Sequence, residues 1–457
     1  MQDPYRLVTM RTAPEPVVKT TTVTKTIEPL IIEQQGGLVR KIVDKGNYVF
    51  LMFMMFGFGA LLPWNMFLNI SYDYYTNHKL LDENKNGTLE SAVFQNSMTI
   101  AAQIPNLIFS ILNIFLTSTG DFTLRMRICL AVVQAMVLIT ISFIYVYTHS
   151  WTTWFFFLTI SNIIALNAAN GLFQNSLFGL ASSFPFKYTN AILIGQNFCG
   201  IAVTVLAMAT KAVTDDVEHR AMLYFGLSSI VIITCFVLLI FIKKLTFFKV
   251  FDVTEANEYD DNFKKEITTW EDVRIAFSES KAQFANIFLL FLVTLALFPN
   301  ICMYVKDNKP GEVYGFIVPT KYFMDVTTFL NFNLFAFLGS LTANWIRSPG
   351  PKSIWIAVVA RFWFLIYLPL ANYQPEGLRL APVLFTSTWF FVFNVTLLAF
   401  SSGYLSSLIM MYAPRCHEEP RIQRMAGMIA AFFLVAGVVA GLVLSWPIKL
   451  LILNYPF

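Results

Sequence analysis

Charge is what this chain has least of. Of 457 residues only 13% are Asp, Glu, Lys or Arg, about half the ~25% usual in soluble domains. With 28 acidic residues against 46 Phe, and a mean hydropathy of +0.60, there is too little polar surface to wrap a water-soluble core. A soluble single domain, a disordered chain and a nucleic-acid binder are thereby excluded. Cysteine is also scarce. The five Cys (129, 199, 235, 302 and 416) show no paired spacing and give no disulfide framework. There is no Walker-type loop, no G-x-G-x-x-G, and no Ser/His/Asp or Cys/His set at credible spacing. These absences remove an ATP-driven pump and a soluble-type enzyme, and no cofactor is expected. The first 46 residues are polar and Thr-rich. No cleavable signal peptide is expected there, so the first apolar run has to act as its own insertion signal.

What the chain does have is long apolar runs. A helix needs about 20 apolar residues to cross ~30 Å of hydrocarbon. Eleven stretches qualify: 47–71, 92–117, 126–148, 152–182, 189–211, 221–242, 284–305, 318–346, 353–372, 382–412 and 425–452. Runs such as Val231–Ile242 do not alternate, which excludes a β-barrel. The expected fold class is an all-α polytopic membrane protein with eleven transmembrane helices. Its expected parts are a tail over 1–46, a six-helix bundle over 47–242, a charged linker over 243–283 and a five-helix bundle over 284–457. Two helical bundles joined by a cytoplasmic linker is a common transporter plan.

Basic residues set the orientation. With the N-terminus in the cytoplasm, 22 Lys and Arg fall inside and nine outside, with Arg361 within a span. The N-terminus is therefore expected cytoplasmic and the C-terminus extracellular. Asn86-Gly87-Thr88, a glycosylation sequon, then lies in the outer 72–91 loop.

Two local patterns fail as metal sites. The segment Asp82–Gly87 begins like a calcium loop, but the twelfth position, which needs an acidic residue, is Val93. His417-Glu418-Glu419 lacks a second His at ligand spacing and reads as a helix connector.

Polar side chains inside spans carry most of the information, because they pair or face a cavity. Leu61, Trp64 and Leu68 share one face of span 1, beside Pro63. Two readings stand: a kinked helix with a packing Trp, or an indole face for stacking a ring. Asn170 and Gln174 lie one turn apart in span 4, and Gly195-Gln196-Asn197 forms a second cluster in span 5. Such amides either glue helices together or read the donor and acceptor edge of a heterocycle. In span 8, Asn333, Ala336 and Ser340 share a face. Lys321 and Asp325 sit one turn apart near its outer end, as a snorkelling pair or with Asp325 free for a proton or a cation. Arg361 is expected to anchor span 9 through backbone carbonyls. No acidic pair or relay runs through the spans, which fits facilitated diffusion.

These residues resemble the equilibrative nucleoside transporter family over about 46–452. Leu61-Leu62-Pro63-Trp64-Asn65 is similar to its LLPWN motif, and Gln174-Asn175-Ser176-Leu177-Phe178-Gly179-Leu180-Ala181 to its QGSLFGLA. Tyr188-Thr189, Gly195-Gln196, Phe298-Pro299 and Phe400-Ser401-Ser402-Gly403-Tyr404-Leu405 follow in the family's order. The resemblance implies a major-facilitator-like 6+5 bundle with a nucleoside cavity between its halves. It implies that Leu61, Trp64, Leu68, Ile100, Phe298, Phe329 and Asn333 line that cavity and that Gln174 hydrogen-bonds the base. One departure stands out. The family's span 8 reads NxFDWLGRS, where Asp and Arg hold the ribose, whereas here Ala336 and Ser340 take their places. Asp325, Ala336 and Ser340 are thus expected to determine the substrate.

The resulting expectation is a non-enzymatic, equilibrative carrier of nucleosides or nucleobases that works by alternating access as a functional monomer in the lipid bilayer of the plasma membrane, glycosylated at Asn86. An organic-cation carrier using Asp325 and a receptor-like member without transport are the alternatives.

Overall fold

The computed structural model describes residues 31–35, 38–116, 122–214, 216–251, 270–306, 316–374 and 379–454. After a short antiparallel hairpin, β1 (Ile31–Gln35) with β2 (Leu38–Ile42), the described chain is helical apart from turns and isolated bridges. Helices α1 (Tyr48–Ile70), α2 (Leu89–Leu116), α3 (Phe122–Ser142), α4 (Thr152–Ser182), α5 (Phe186–Val213) and α6 (Val217–Ile242) precede the charged connection. A short α7 (Thr246–Phe251) opens that connection. Beyond it come α8 (Trp270–Leu297), α9 (Asn331–Thr342), α10 (Ile354–Ala360), α11 (Trp363–Tyr367), α12 (Thr388–Tyr412) and α13 (Pro420–Asn454). Among the described residues nine helices are long and apolar enough to cross a membrane.

The expected spans 8 and 9 are where the count differs. Span 8 is broken before α9 into a 3-10 turn (Thr320–Tyr322) and a π-helical segment (Asp325–Leu330). Span 9 tightens at its middle, where the amides of Arg361, Phe362, Phe364 and Leu365 each bond the carbonyl three residues back. This i→i+3 winding separates α10 from α11. Its centre is the buried Arg361, which donates to Leu398 O (3.0 Å), Thr294 Oγ1 (2.6 Å) and the Ser401 hydroxyl. Where carbonyls are expected to anchor Arg361, one carbonyl and two hydroxyls do so. Helix α8 begins at Trp270, within the stretch expected as the linker, with Glu271 and Asp272 in its first turn, where carboxylates suit the helix dipole.

Within the first half α1 packs on α5 and α6, and α4 packs on α2 and α3. In the second half α8 packs on α13, and α9 on α12. The halves meet where α5 touches α9 and α12, and where α13 touches α4 and α2. Several of the cross-half contacts gather at the end that carries the linker. There Asn175 Nδ2 donates to Met428 O (2.8 Å), Arg424 Nε to Ser183 Oγ (2.8 Å), and Arg415 to the Phe184 carbonyl. A Cβ on Gly427 would lie 1.9 Å from Ser182 Oγ, so α13 and α4 touch there without room for a side chain. Phe53, Phe184 and Tyr188 add an aromatic knot against Phe247, Phe248 and Phe251 around α7. Asp82–Gly87 folds as a self-capped turn in which Asp82 Oδ1 accepts from the Asn86 amide (2.7 Å). The exposed Asn86 side chain caps back to Asp82 Oδ2 (3.4 Å).

Candidate functional site

Glycine sets the site's framework. A Cβ on Gly57 would stand 2.1 Å from Ile192 O, and one on Gly195 would stand 1.9 Å from Met54 O. Helices α1 and α5 therefore run backbone against backbone, the close approach that small residues allow in membranes. Further along α1, Leu61, Trp64 and Leu68 are all half-buried, and Asn65 Nδ2 reaches Cys199 Sγ (3.7 Å) on α5.

Helix α4 is clamped on one face. Gly171 abuts Asn106 O of α2, and Asn175 bridges Asn113 (2.8 Å) and Met428 O. Gln174, one residue round from Asn175, lies on the adjoining inward face with Asn170, one turn away. They are 7% and 5% exposed, and among the described residues neither amide has a hydrogen-bond partner. Gln196 of α5, 9% exposed, is in the same condition. None of the three is among the fully enclosed polar atoms that lack a partner, so their neutral amide groups border open space, where water or a solute completes their hydrogen bonds.

On the other side, Phe298 stacks on Phe332 (ring centroids 3.7 Å, planes 6° apart) and meets Phe329 edge-on (5.7 Å, 70°). Asn333 does not point free. Its Nδ2 donates to Thr204 Oγ1 (3.3 Å), and its Oδ1 occupies the space over Gly200. Ile100 is 58% exposed. It lies about a third of a turn round α2 from Asn106, so it stands apart from the amide cluster.

The substrate-determining trio is placed otherwise than expected. Ser340 is fully buried. It donates to Gly403 O (3.1 Å) and accepts from Asn197 Nδ2 (2.8 Å), while Asn190 Nδ2 donates to Ser340 O (2.8 Å). Ala336 is pressed on Gly403, where a Cβ would come within 1.9 Å of its carbonyl oxygen. Both residues are packing elements among α5, α9 and α12. The Asp325 carboxylate is not free either: Lys211 Nζ holds it at 2.9 and 3.1 Å. The side chain of Lys321, its expected partner, lies outside the described residues.

Asn190, Asn197, Thr204 and Lys211 recur every seven residues on α5, and each bonds α9 or its π-helical lead-in. Sequence reasoning missed this ladder, because it read Asn197 as part of a local cluster in span 5. The heptad spacing of polar residues in an apolar helix was the available signal.

Comparison with known proteins follows the same lines. The family model described as "Nucleoside transporter" matches residues 160–450. The human equilibrative nucleoside transporter 1 is 31% identical over 455 residues, covering 88% of this chain and 97% of that protein. The human equilibrative nucleoside transporter 2 is 26% identical, covering 90% and 98%. Among solved structures, the E. coli fucose:proton symporter superposes with a TM-score of 0.57 at 10% identity, over 88% of this chain and 92% of that one. The proton:xylose symporter of the major facilitator superfamily gives 0.57 at 11%, over 89% of each. The chain has a major-facilitator-like membrane fold, and by sequence it is a member of the equilibrative nucleoside transporter family.

Proposed function

We propose that this protein carries nucleosides or nucleobases across the plasma membrane by facilitated diffusion with alternating access. The observation that carries the reading is the unpartnered amide of Gln174, with Asn170 one turn away on α4 and a third unpartnered amide, Gln196, on α5. An amide donates and accepts at once, as the edge of a purine or pyrimidine requires. Trp64 supplies a ring face for stacking, and Leu61, Leu68, Phe298 and Phe329 supply apolar walls. Asn333, Ala336 and Ser340 contribute the shape of the α9 wall rather than polar contacts. Ile100, 58% exposed on α2, takes no part in this reading.

Neutral amides and a paired Asp325 favour an uncharged cargo. The cation reading needs a free carboxylate, and Lys211 already neutralises Asp325. The two halves are in contact at both ends, through the α4–α13 contacts at the linker end, which basic residues assign to the cytoplasm, and through the Lys211–Asp325 pair at the other. The protein acts as a monomer with eleven spans in a 6+5 arrangement, carrying a glycan on Asn86.

The test is uptake of radiolabelled adenosine, uridine and adenine, at two external pH values, in cells lacking their own nucleoside transport. Saturable, pH-insensitive uptake is expected. Gln174→Leu should lower kcat/KM by about 10- to 100-fold, the worth of one or two hydrogen bonds to substrate. No saturable flux despite normal surface abundance overturns the reading in favour of a receptor-like protein.

A further inference from the structure

The polar ladder on α5 crosses the whole membrane. Asn190 and Lys211 are three steps of seven residues apart, and at 1.5 Å per residue the ladder covers about 32 Å, close to the thickness of the hydrocarbon core. Every rung ties the first half of the molecule to the second. At the linker end Asn190 Nδ2 donates to Ser340 O (2.8 Å) and Asn344 Oδ1 (2.9 Å). At the far end Lys211 Nζ meets both carboxylate oxygens of Asp325.

Each member of that last rung is anchored in its own half. Thr210, beside Lys211, shares a hydrogen bond with the Tyr224 hydroxyl of α6 (2.9 Å), so the end of α5 moves with the first half. Thr328, about one turn on from Asp325, donates to Cys302 O (3.3 Å) in the turn that follows α8, so the lead-in to α9 moves with the second. Two other ion pairs at this end, Lys79 with Glu218 (2.7 Å) and Arg220 with Asp73 (3.1 Å), join the continuation of α1 (Ser71–Lys79) to α6 inside the first half. Parting the halves here leaves those two intact and has to break Lys211–Asp325. The pair suits repeated breaking, because Lys211 is part-exposed and its ammonium returns to water when the rung opens.

Alternating access, the reading on which this step rests, needs one end to part while the other stays closed. We propose that Lys211 and Asp325 are the outer gate latch of this transporter, formed while the outer end is closed and broken when it opens. Loss of either charge then biases the protein toward its outward-open form.

Ala207, buried on the same face of α5 one turn before Lys211, reports the opening. The full chain carrying Ala207→Cys is expressed at the cell surface and labelled from outside with a membrane-impermeant methanethiosulfonate. The chain without that substitution gives the background from its own cysteines. Lys211→Met and Asp325→Asn should each speed labelling about fivefold, the population shift that a part-solvated ion pair is worth. The reversed pair, Lys211→Asp with Asp325→Lys, should bring the rate back, which loosened packing would not do. Where a charge variant fails to reach the surface, hydrogen exchange of the purified, unsubstituted protein decides. Raising salt from about 0.05 to about 0.5 M screens the pair and should quicken exchange over 325–331 relative to 190–197. Labelling that ignores the loss of either charge, no return with the reversed pair at normal surface abundance, or salt-independent exchange overturns the proposal.

Labelling needs no substrate, so adenosine uptake in the same cells separates this claim from the one beneath it. Saturable uptake with unchanged labelling removes the latch alone. Absent uptake with the expected labelling removes the transport reading and leaves the pair as a conformational lock.

Discussion

Lys211 and Asp325 form a two-point ion pair, with Nζ 2.9 and 3.1 Å from the two carboxylate oxygens, that ties the end of α5 to the π-helical lead-in of α9. It is the last rung of the seven-residue ladder on α5, and it is the only rung made of charges. The Asp325 side chain is 8% exposed and that of Lys211 32%, so the pair straddles the boundary between buried and solvated. A half-solvated pair contributes little by itself, but breaking it from one side leaves a charge in a poor medium.

Asp325→Asn should therefore destabilise the protein by roughly 1–2 kcal/mol, discounted for the solvent reaching Lys211. Lys211→Met with Asp325→Asn should recover part of that loss, as a double-mutant cycle would show. The measurement is thermal unfolding of the purified variants alongside nucleoside uptake. A cation carrier would behave differently, losing uptake completely with Asp325→Asn and gaining it with Lys211→Met.

How much of this was legible in the sequence follows from the kind of signal each element carried. Nine helices stand out because their runs are long, apolar and weakly charged, and bounds such as 152–182 match α4 (Thr152–Ser182). Spans 8 and 9 were harder, because winding around Arg361 and ahead of Asn331 depends on tertiary partners, Thr294 and Leu398 among them, that local composition does not contain. At the site, the pairing of Asn170 with Gln174 followed from helical spacing alone. The roles of Ala336 and Ser340 did not, since their burial is decided by Gly403, more than sixty residues away in the chain.

Ser340 holds Asn197 and Gly403 together, so rebuilding a ribose clamp at this place should fail. Ala336→Asp with Ser340→Arg puts two charged, larger side chains where the exposures are 2% and 0%. The pair is expected to lower surface abundance several-fold without improving riboside affinity. Ser340→Ala is the gentle control, expected to cost about 1–2 kcal/mol for its lost bonds. Surface biotinylation and uptake kinetics decide the matter, and a double variant of normal abundance with a lower KM for ribosides would show that the position opens to substrate after all.

The glycines give a paired test of the backbone seam between α1 and α5. Around Gly226 nothing lies within 4 Å of an added Cβ, so Gly226→Ala should be neutral or stabilising by up to about 1 kcal/mol through helix propensity. Gly195→Ala meets Met54 O at 1.9 Å and must force the helices apart. Its expected cost is at least roughly 1–3 kcal/mol, with reduced uptake, because the shift moves Trp64 relative to Gln196. Equal melting temperatures for the two variants would mean that the seam is not tight.

His417 gives the linker end a pH dependence. The residue is 6% exposed in the connection from α12 to α13, with its ring nitrogens 3.0 Å from Glu279 Oε2 and 3.0 Å from Ser280 Oγ on α8. Burial lowers its pKa below the ordinary 6.5, and the neighbouring Glu279 offsets only part of that. In the window just below 6.5 the unfolded chain therefore holds more protons than the native one, so stability rises with pH there and is complete above it. Acidification from about pH 7.5 to about pH 5.5 should lower the melting temperature of the purified protein, and His417→Gln should flatten that part of the profile. Because His417 braces α8 against the connection that leads into α13, the same acidification should weaken the seal between α13 and α4. Hydrogen exchange over Arg424–Met428 would report it as faster opening at low pH in the parent and not in His417→Gln, and an identical acid response in both proteins would rule His417 out as its source.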